Sequence, residues 1–481
     1  MFVGTGSDVG KSIVNAAFCR IFKNDGYSPA PFKAQNMSLN SYPTPDGLEI
    51  GRAQAVQAEA CKIPCQVEMN PVLLKPTSNQ QSQVVLNGKP VGNQSAKEYF
   101  MKDNKQALFQ EAVQSYETLA AKYNPMVIEG AGSISEMNLW KKDIVNMRMA
   151  MATQSATFLI ADIDRGGVFA SVYGSIALLP EEQRKLIKGI VINKFRGDIS
   201  LFEDGKKILE DLTGVPVVAV IPYYTDIYIE DEDSVVLDKK HGTITDNQVN
   251  IAVVQLKHLS NFTDFNVLER TPDVNLFYTR NGEDIENADI VIIPGSKNTI
   301  ADLHYLKQNG LAQSIIRAHK NGKSVYGICG GYQIMGESIE DPDQVEGEIP
   351  YIAGLGLLPT QTVLTQEKTT EQRTFSFRNS SVECKGYEIH MGTTTTANNQ
   401  PVCTTSTGEA DGYFLNDKTW GSYMHGIFDN PTIINEILEI IGAEKTAIED
   451  MDSFKDQQYD KLAEHVRNCT DMDYVYRVLQ E

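Results

Sequence analysis

Glycine, lysine and serine stand close together near the start of the chain, in the sequence Gly4-Thr5-Gly6-Ser7-Asp8-Val9-Gly10-Lys11-Ser12. Glycines let the backbone wrap closely around phosphate oxygens, and a helix beginning at Lys11 would add positive potential there. Lys11 would reach the outer phosphates, and the Ser12 hydroxyl would bind Mg²⁺. The usual pattern G-x-x-x-x-G-K-[ST] has glycine where this chain has Thr5, with Gly4 one step earlier. We therefore interpret this stretch as a variant phosphate-binding loop (P-loop), with a plain glycine turn as the alternative.

Acidic side chains follow two predicted strands of the same region. Glu129 ends the strand predicted over Met126–Glu129, and Asp162 and Asp164 follow the strand predicted over Thr157–Ala161. In an open parallel sheet the ligand crevice lies outside the carboxyl ends of the strands, so we expect Glu129 to bind the magnesium. Capping of a helix is the structural alternative for these acids.

Other polar residues are further candidates for the nucleotide site. Asn193 and Lys194 end another predicted strand, where Asn193 could contact the edge of the adenine. Asp46 and Glu49 are possible additional ligands on the metal or phosphate side. It is equally possible from the sequence that both are solvated acids of a surface loop. Together these residues predict a site for ATP and Mg²⁺.

A second chemical feature is a cysteine between glycines, Cys329 in the sequence Gly-Ile-Cys-Gly-Gly, which follows a strand predicted over Lys323–Ile328. The spacing G-x-C-x-G is the cysteine form of a nucleophile elbow, in which small neighbours permit a tight turn from strand to helix. The start of a helix beneath the sulfur favours the reactive thiolate. We therefore predict that Cys329 is a nucleophile rather than an inert core cysteine.

A thiol nucleophile needs a base and a group that stabilises the oxyanion. His425 stands at the end of a short predicted strand before a glycine, a good position to overhang the elbow. His390 is the rival, although a strand position suits substrate contact or a core imidazole equally well. The exposed amides of Gly295 and Ser296, together with Gly330 after the cysteine, are the candidate oxyanion hole.

Composition limits the protein class. The chain has 481 residues, 41% of them hydrophobic, which suggests two to four ordinary globular domains. A net charge of −20 argues against nucleic-acid binding, and no apolar run is long enough to cross a bilayer. Seven scattered cysteines, an odd number, do not indicate a disulfide framework, and Cys61 and Cys65 lack the partners of a zinc site. We expect a cytoplasmic enzyme in a reducing compartment.

The elements that must position these residues alternate between strand and helix, which predicts an α/β fold with two parallel-sheet domains. We expect a first domain over 1–228, a linker over 229–248, a second domain over 249–440 and a helical tail over 441–481 that packs on the second domain. A Thr-rich stretch at 393–409 is expected to be a surface loop. Only three residues precede Gly4, so either the first strand is short or the native start lies upstream. The remaining predicted strands are Gly189–Asn193, Val215–Ile221, Ile251–Gln255, Ile290–Ile293 and Val325–Ile328, and the predicted helices are Lys11–Phe22, Ser95–Lys122 and Glu203–Leu212.

The P-loop joined to a G-x-C-x-G domain resembles the cobyric acid synthases of corrinoid (vitamin B12) biosynthesis. The resemblance runs from residue 1 to about residue 440, and its specific stretches are PFKAQNMSLN at 31–40, EIGRAQAVQ at 49–57, MNPVLLKP at 69–76 and GYEIHMG at 386–392. It implies a dethiobiotin-synthetase-like P-loop ATPase domain and a flavodoxin-like class I glutamine amidotransferase domain.

The resemblance also implies a reaction and residue roles. The reaction is the ATP-dependent amidation of the b, d, e and g carboxylates of adenosylcobyrinic acid a,c-diamide, with glutamine as nitrogen donor. Cys329 would be the nucleophile, His425 its base, Glu129 the metal-side acid, and Lys33 would face the phosphates. Class I enzymes usually carry a glutamate two residues after the histidine, where this chain has Ile427, so the group that orients His425 stays open.

Three other functions are weighed against this one. Cobyrinic acid a,c-diamide synthase has the same two domains and amidates two other carboxylates. A ligase that uses only the P-loop, with an inactive glutaminase domain, is chemically different, and a nucleotide-switched partner protein would not be an enzyme at all. An acidic protein needs local positive charge to bind a polycarboxylate, and the candidates are Lys33, Arg52, Lys75 and Arg165. The sequence does not indicate an oligomeric state.

Overall fold

The computed structural model describes the chain except for residues 77–80, 96–103, 231–241, 379, 446 and 481. The strands of the first half are β1 (Phe2–Gly4), β2 (Ala30–Phe32), β3 (Gln35–Met37), β4 (Ser41–Pro43), β5 (Glu49–Gly51), β6 (Val72–Pro76), β7 (Gln81–Leu86), β8 (Lys89–Ser95), β9 (Met126–Ile128), β10 (Thr157–Asp162), β11 (Ile187–Phe195) and β12 (Val217–Pro222). The helices of this half are α1 (Lys11–Asn24), α2 (Arg52–Ala60), α3 (Asn104–Ala120), α4 (Met147–Thr153), α5 (Val168–Ala177), α6 (Glu181–Arg184) and α7 (Glu203–Thr213).

The second half begins after the predicted linker, of which 231–241 lie outside the described residues. Its strands are β13 (Val249–Val254), β14 (Val274–Thr279), β15 (Ile290–Ile293), β16 (Ser324–Ile328), β17 (Ser338–Glu340), β18 (Tyr351–Ala353), β19 (Thr360–Phe377), β20 (Glu383–Thr396), β21 (Cys403–Thr405), β22 (Ala410–Asp411), β23 (Tyr413–Asn416) and β24 (Thr419–Ser422). Its helices are α8 (Asn266–Arg270), α9 (Gly282–Asn287), α10 (Thr299–Gln308), α11 (Leu311–Lys320), α12 (Gly330–Met335) and α13 (Pro431–Ile440), followed by α14 (Met451–Arg467) and α15 (Met472–Leu479).

The first domain is built on parallel strands in the order β1-β10-β11-β12. On the other side of β1 a parallel bridge joins Phe2 to Glu129, and the preceding strand β9 pairs in parallel with β2. Strand β10 is buried along its whole length, as expected for a parallel sheet that is covered on both faces. The carboxyl ends of β1, β9 and β10 therefore meet at one edge, which brings Gly4, Glu129 and Asp162 to the same side.

The second domain has a six-stranded sheet in the order β14-β13-β15-β16-β24-β23, parallel except for the last pair. In chain order, the first five strands follow the 2-1-3-4-5 arrangement of flavodoxin-like folds. Cys329 directly follows the buried strand β16, at the carboxyl end of the sheet. A second sheet, β18-β17-β19-β21-β22 with β20 paired to β19, covers this side of the domain. The prediction of two parallel-sheet α/β domains is confirmed.

Two local predictions are wrong. The described part of the helix predicted over Ser95–Lys122 is Asn104–Ala120, and residues 96–103 lie outside the described residues. Ser95, expected to begin that helix, ends strand β8 of a hairpin with β7. Asn87 and Gly88 form its turn with positive φ, which is the short-range hairpin signal of an Asn-Gly pair. The stretch 393–409 is not one loop either, because β20 runs to Thr396 and β21 lies within the stretch.

The tail also packs where it was not expected. Helix α13 lies in the core of the second domain, but Tyr459, Leu462 and Val466 of α14 pack in the same hydrophobic cluster as Phe18 and Phe22 of α1. Amphipathic helices predict a buried face without naming the surface that covers it. The tail therefore returns to the first domain and ties the two halves together.

The two domains meet through polar contacts. Lys368 of β19 pairs with the buried Glu49 of β5, and Gln372 donates a 2.8 Å hydrogen bond to the carbonyl of Pro43. The backbone N–H of Ser41 donates to the side-chain oxygen of Asn261 at 3.1 Å. In the part of the chain that the structure describes, no helix is long and apolar enough to cross a membrane.

Candidate active sites

The P-loop lies between β1 and α1. Gly10 has a φ of 95°, and a side chain there would meet the amide nitrogen of Asn193 at 2.1 Å, so only glycine fits. The Asn193 amide donates to the carbonyl of Val9 at 2.8 Å and thereby holds the loop. The ammonium of Lys11 donates to the carbonyls of Gly6 and Gly132 at 2.8 and 3.0 Å. The loop is thus held by Lys11 and Asn193 through the carbonyls of Gly6, Val9 and Gly132.

Glu129 lies at the centre of the polar contacts beside the loop. Its carboxylate accepts hydrogen bonds from Ser12 at 2.8 Å, Lys33 at 2.7 Å and Gln57 at 2.6 Å, and it is 1% exposed. Burial by itself raises the pKa of Glu129, but the charge of Lys33 and the three hydrogen bonds outweigh burial and lower the pKa. Glu129 is therefore held as a carboxylate. Sequence reasoning missed Gln57.

The remaining predicted residues of this site separate into two groups. Asp162 is buried and pairs with Lys194 at 2.9 Å, so it lies at the loop edge as expected. Asp46 is exposed at the tip of the β4–β5 hairpin, and among the described residues no hydrogen bond joins it to Ser12 or Glu129. This position does not support the prediction that Asp46 is a metal ligand. The hairpin tip lies beside the second domain, where Gly47 approaches the carbonyl of Thr370.

The oxygen-rich pair of Ser12 and Glu129 fits a hard cation such as Mg²⁺, which prefers one or two protein oxygens together with phosphate oxygens and water. Within the described ranges no group of three or more His, Cys, Asp or Glu side chains could hold a metal alone.

Cys329 occupies the predicted elbow. Its backbone has φ 52° and ψ −111°, an uncommon conformation for a residue with a side chain, and it directly precedes helix α12. Such strain costs about 1–3 kcal/mol and is concentrated at functional sites. The thiol is 7% exposed, and its sulfur lies 3.6 Å from the carbonyl of Ile389.

His425 is the histidine that the structure brings to this thiol, and its role as the base stays a prediction. Its Nδ1 lies 2.7 Å from a carboxylate oxygen of Asp264, whose other oxygen accepts from the N–H of Gly426 at 3.0 Å. Burial by itself lowers the pKa of His425, but the charges of Asp264 and Cys329 and hydrogen bonds to both outweigh burial and raise the pKa to about 10. The arrangement is a Cys–His–Asp triad.

Asp264 is the functional residue that sequence reasoning missed. It lies in the 3₁₀ turn Phe262–Phe265, which follows β13, and is 2% exposed. An acid between two phenylalanines of a buried segment was the available signal, because such an acid needs a partner. Among the residues that the structure describes, no acid pairs with the rival His390. Burial lowers its pKa to about 4, and its ring stacks on Tyr423 at 3.7 Å.

The candidate oxyanion residues converge near the elbow. A side-chain carbon added at Gly330 would lie 2.8 Å from the backbone nitrogen of Ser296, and one at Gly295 would lie 3.3 Å from the His425 ring. The Ser296 hydroxyl donates to Asp302 at 2.6 Å, which fixes the loop. The structure therefore brings all three predicted residues close to Cys329 and His425, while their role as an oxyanion hole stays a prediction.

A contact from the first domain reaches His425 through Asn261. The side-chain nitrogen of Asn261 lies 3.4 Å from Nε2 of His425, and its oxygen accepts the N–H of Ser41. Ser41 also donates from its hydroxyl to Glu49 at 2.7 Å. The hairpin of the first domain is thus connected through one asparagine to the thiol site.

Comparison with known proteins decides the family. Residues 1–235 match the family described as the CobQ/CobB/MinD/ParA nucleotide binding domain, and residues 250–433 match the CobB/CobQ-like glutamine amidotransferase domain. The cobyric acid synthase of Parabacteroides distasonis is 60% identical, and that of Bacteroides fragilis is 59% identical. The cobyric acid synthase of Phocaeicola vulgatus is 56% identical, and each comparison covers 100% of this chain and 98% of the relative.

The chain belongs to the cobyric acid synthase family. The predictions of an enzyme and of a glutamine amidotransferase domain joined to a nucleotide-binding domain are confirmed. Within this cobyric acid synthase architecture, the acid that orients His425 comes from Asp264, 161 residues earlier in the chain, and not from the position of Ile427.

Of the four basic residues considered for acceptor binding, three are buried in ion pairs. Lys33 pairs with Glu129, Arg52 with Glu230, and Lys75 with Glu49, each at 2.7 Å. Arg165 is exposed, 3.5 Å from Asp8 and 3.8 Å from Asp162. Arg165 is therefore the member of this set that lies open at the P-loop edge.

Proposed function

We propose that this protein amidates the b, d, e and g carboxylates of adenosylcobyrinic acid a,c-diamide to give cobyric acid, using ATP and glutamine. The proposal combines membership of the cobyric acid synthase family with two sets of side chains suited to the two half-reactions. The observation that carries it is that one chain holds a Cys–His–Asp triad and a P-loop in domains that meet beside the catalytic histidine.

The P-loop side would activate the acceptor. A carboxylate resists attack by ammonia because oxide is a poor leaving group, and Mg²⁺-bound ATP would supply the phosphoryl group of an acyl phosphate. Lys11 would exchange its carbonyl partners for phosphate oxygens, while Ser12 and Glu129 would hold the metal. Lys33, which now neutralises Glu129, would keep that carboxylate fixed beside the phosphates.

The thiol side would release the nitrogen. His425, held by Asp264, accepts the thiol proton of Cys329, and the sulfur attacks the side-chain amide carbon of glutamine. The amides of Ser296 and Gly330 would stabilise the oxyanion. The carbon–nitrogen bond then breaks, His425 returns its proton to the departing ammonia, and water hydrolyses the thioester to glutamate.

The test is a mass spectrum of the corrinoid after incubation with the protein, Mg-ATP, glutamine and adenosylcobyrinic acid a,c-diamide. We expect up to four carboxylate-to-amide conversions. The Cys329→Ala variant should lose these conversions with glutamine and keep them with ammonia, because only the release of nitrogen needs the thiol.

Three other outcomes would contradict parts of the proposal. Conversion of unamidated cobyrinic acid alone would indicate a cobyrinic acid a,c-diamide synthase. No change in either corrinoid would contradict the proposed substrate. Full glutamine-dependent activity of Cys329→Ala would contradict the proposed role of the thiol.

A further inference from the structure

A cavity beside Cys329 is lined by charged side chains that the triad does not use. Lys297 and Glu346 of the second domain face this cavity together with Lys75 of the first domain. Lys297 follows Ser296, so its side chain branches from the same loop as a candidate oxyanion amide. These charges are well placed to contact a molecule whose reacting carbon lies at Cys329.

The ammonium of Lys297 has no partner of its own. Within the described part of the chain, Lys297 makes neither an ion pair nor a hydrogen bond from its side chain. Lys75 and Lys368, by contrast, both pair with Glu49. Burial and the positive charge of Lys75 lower the pKa of Lys297 to about 8. An unpaired cation in a cavity is costly, and a ligand carboxylate would compensate it.

Glu346 provides the opposite charge on the same cavity. One of its oxygens accepts the N–H of Ile300 at 3.0 Å, and the other accepts the Thr299 hydroxyl at 3.3 Å. These contacts fix the carboxyl group, burial raises its pKa to about 7, and it forms no ion pair with Lys297 among the described residues. Besides Lys75 and Lys368, which pair with Glu49, the cavity therefore presents one lysine and one glutamate that form no ion pair with each other, and such a pair complements an amino acid backbone with a carboxylate and an ammonium group.

We propose that Lys297 binds the α-carboxylate and Glu346 the α-ammonium group of the glutamine whose side-chain amide reaches Cys329. This inference rests on the proposed glutaminase function and names the residues that select the free amino acid. The two contacts hold the far end of the substrate, while the amides of Ser296 and Gly330 act at the reacting end. Asparagine, which is one carbon shorter, would not reach Cys329 from the same contacts.

The experiment compares three amides in the full-length protein by measuring ammonia release at saturating and limiting concentrations. The amides are L-glutamine, L-glutamine α-amide, which lacks the carboxylate charge, and glutaramate, which lacks the ammonium group. Lys297→Met should lower kcat/KM for glutamine about 10- to 100-fold, mainly through KM, and leave the α-amide unchanged. Glu346→Gln should reduce the preference for glutamine over glutaramate. The preference for glutamine over the α-amide should stay unchanged in this variant.

Two controls separate recognition from folding. Lys320→Met changes an exposed lysine at the end of α11 and should behave as the unchanged protein. Alkylation of Cys329 by neutral iodoacetamide should proceed at an unchanged rate in Lys297→Met, and Lys297→Arg should retain part of the preference for the carboxylate. If Lys297→Met is insoluble, Lys297→Gln gives the same test, since it also removes the charge.

The proposal would be overturned if Lys297→Met kept the full preference for glutamine over the α-amide. It would also be overturned if Lys297→Met lowered the activity on all three amides equally. Lys297 would then act on the thiol of Cys329 and not on the α-carboxylate of glutamine. Absence of glutamine hydrolysis by the unchanged protein would instead contradict the proposed function itself. The two failures are therefore distinguishable.

Discussion

The P-loop site and the thiol site are organised differently. At the P-loop, Lys11 donates to backbone carbonyls and Glu129 accepts three side-chain hydrogen bonds, so the functional groups are engaged with one another. At the thiol, Cys329 is held in an uncommon backbone conformation and His425 is already aligned by Asp264. The thiol site has the geometry of its reaction, whereas the P-loop must exchange internal contacts for phosphate contacts.

This difference indicates whether the residues of each site are positioned before the ligand binds or only on binding. The thiol site is preorganised by strain and by a buried ion pair within one domain, so glutamine cleavage should need little rearrangement. The P-loop site depends on contacts that ligands replace, so its organisation should be completed on binding. Mutations should therefore be able to impair one site without the other. Among the described residues, Asn261 links the two, because it accepts a hydrogen bond from Ser41 of the first domain and contacts His425.

The largest effect is expected from Lys11→Met, which removes the cation of the P-loop. Amidation should fall about 10³-fold with either glutamine or ammonia, because the transferring phosphoryl group loses charge stabilisation. Glutamine hydrolysis without ATP should stay within about threefold of the unchanged protein. A parallel loss of both activities would break the comparison, because the sites would then form one unit.

Asp264→Asn should damage the thiol site alone. Removing the carboxylate leaves burial to dominate, so the pKa of His425 falls from about 10 and less imidazolium is present at pH 8. Glutamine hydrolysis should fall about 10²- to 10⁴-fold, with ammonia-dependent amidation retained.

The pH dependence of Cys329 alkylation checks the cause of that loss. In the unchanged protein His425 should stay protonated from pH 6 to 9, because its raised pKa of about 10 lies above this range, so its contribution to the alkylation rate should stay nearly constant. In Asp264→Asn the rate should increase with pH across this range. Identical profiles would show that Asp264 does not set the charge of His425.

Asn261→Ala should have a smaller effect, because it removes the 3.4 Å side-chain contact with Nε2 of His425 and the hydrogen bond that Asn261 accepts from the N–H of Ser41. We expect glutamine hydrolysis to fall about 10-fold, with ammonia-dependent amidation unchanged. The more informative readout is the ratio of glutamate formed to amide formed, which should rise as the domains become uncoupled. An unchanged ratio would confine the role of Asn261 to the thiol site.

Glu49→Gln should affect stability more than catalysis. Burial by itself raises the pKa of Glu49, but Lys368 and Lys75 outweigh burial and lower it below its ordinary value. The variant leaves both lysines without their buried carboxylate, so we expect a loss of about 3–5 kcal/mol in unfolding free energy.

The pH dependence of this loss has a definite sign. Because the folded pKa lies below the unfolded one, the stabilisation is present above about pH 5 and is lost as the pH falls through about 4 and below. Chemical unfolding of both proteins at several pH values measures the difference. A difference that grew on acidification would contradict the ion-pair assignment.

The sequence predicted those parts of the sites that depend on contiguous patterns. Gly10, Lys11 and Ser12 form one motif, and Glu129 and Cys329 each follow a buried strand, so the sheet topology brings them to the expected edges. His425 was recognisable from its glycine-flanked strand end. Local pattern was sufficient because the backbone geometry of a P-loop or an elbow is set by neighbouring residues.

The sequence could not predict contacts between distant segments. Asp264 reaches His425 across 161 residues, and no local pattern encodes that distance. The tail helix α14 shows an apolar face, but its packing against α1 is a property of the assembled surface. The β7–β8 hairpin, unlike these distant contacts, carried a local signal in the sequence, because the pair Asn87-Gly88 is typical of a hairpin turn. The polar residues at the ends of its two strands made the strands hard to recognise.

The most direct test of the account follows the nitrogen. The protein is incubated with the a,c-diamide acceptor, Mg-ATP, glutamine labelled with ¹⁵N in its side-chain amide, and an excess of unlabelled ammonium. The account predicts that the new amides of the product carry ¹⁵N, because nitrogen released at Cys329 is used at the P-loop domain of the same chain. Product amides that carry the unlabelled nitrogen of the solution would contradict it.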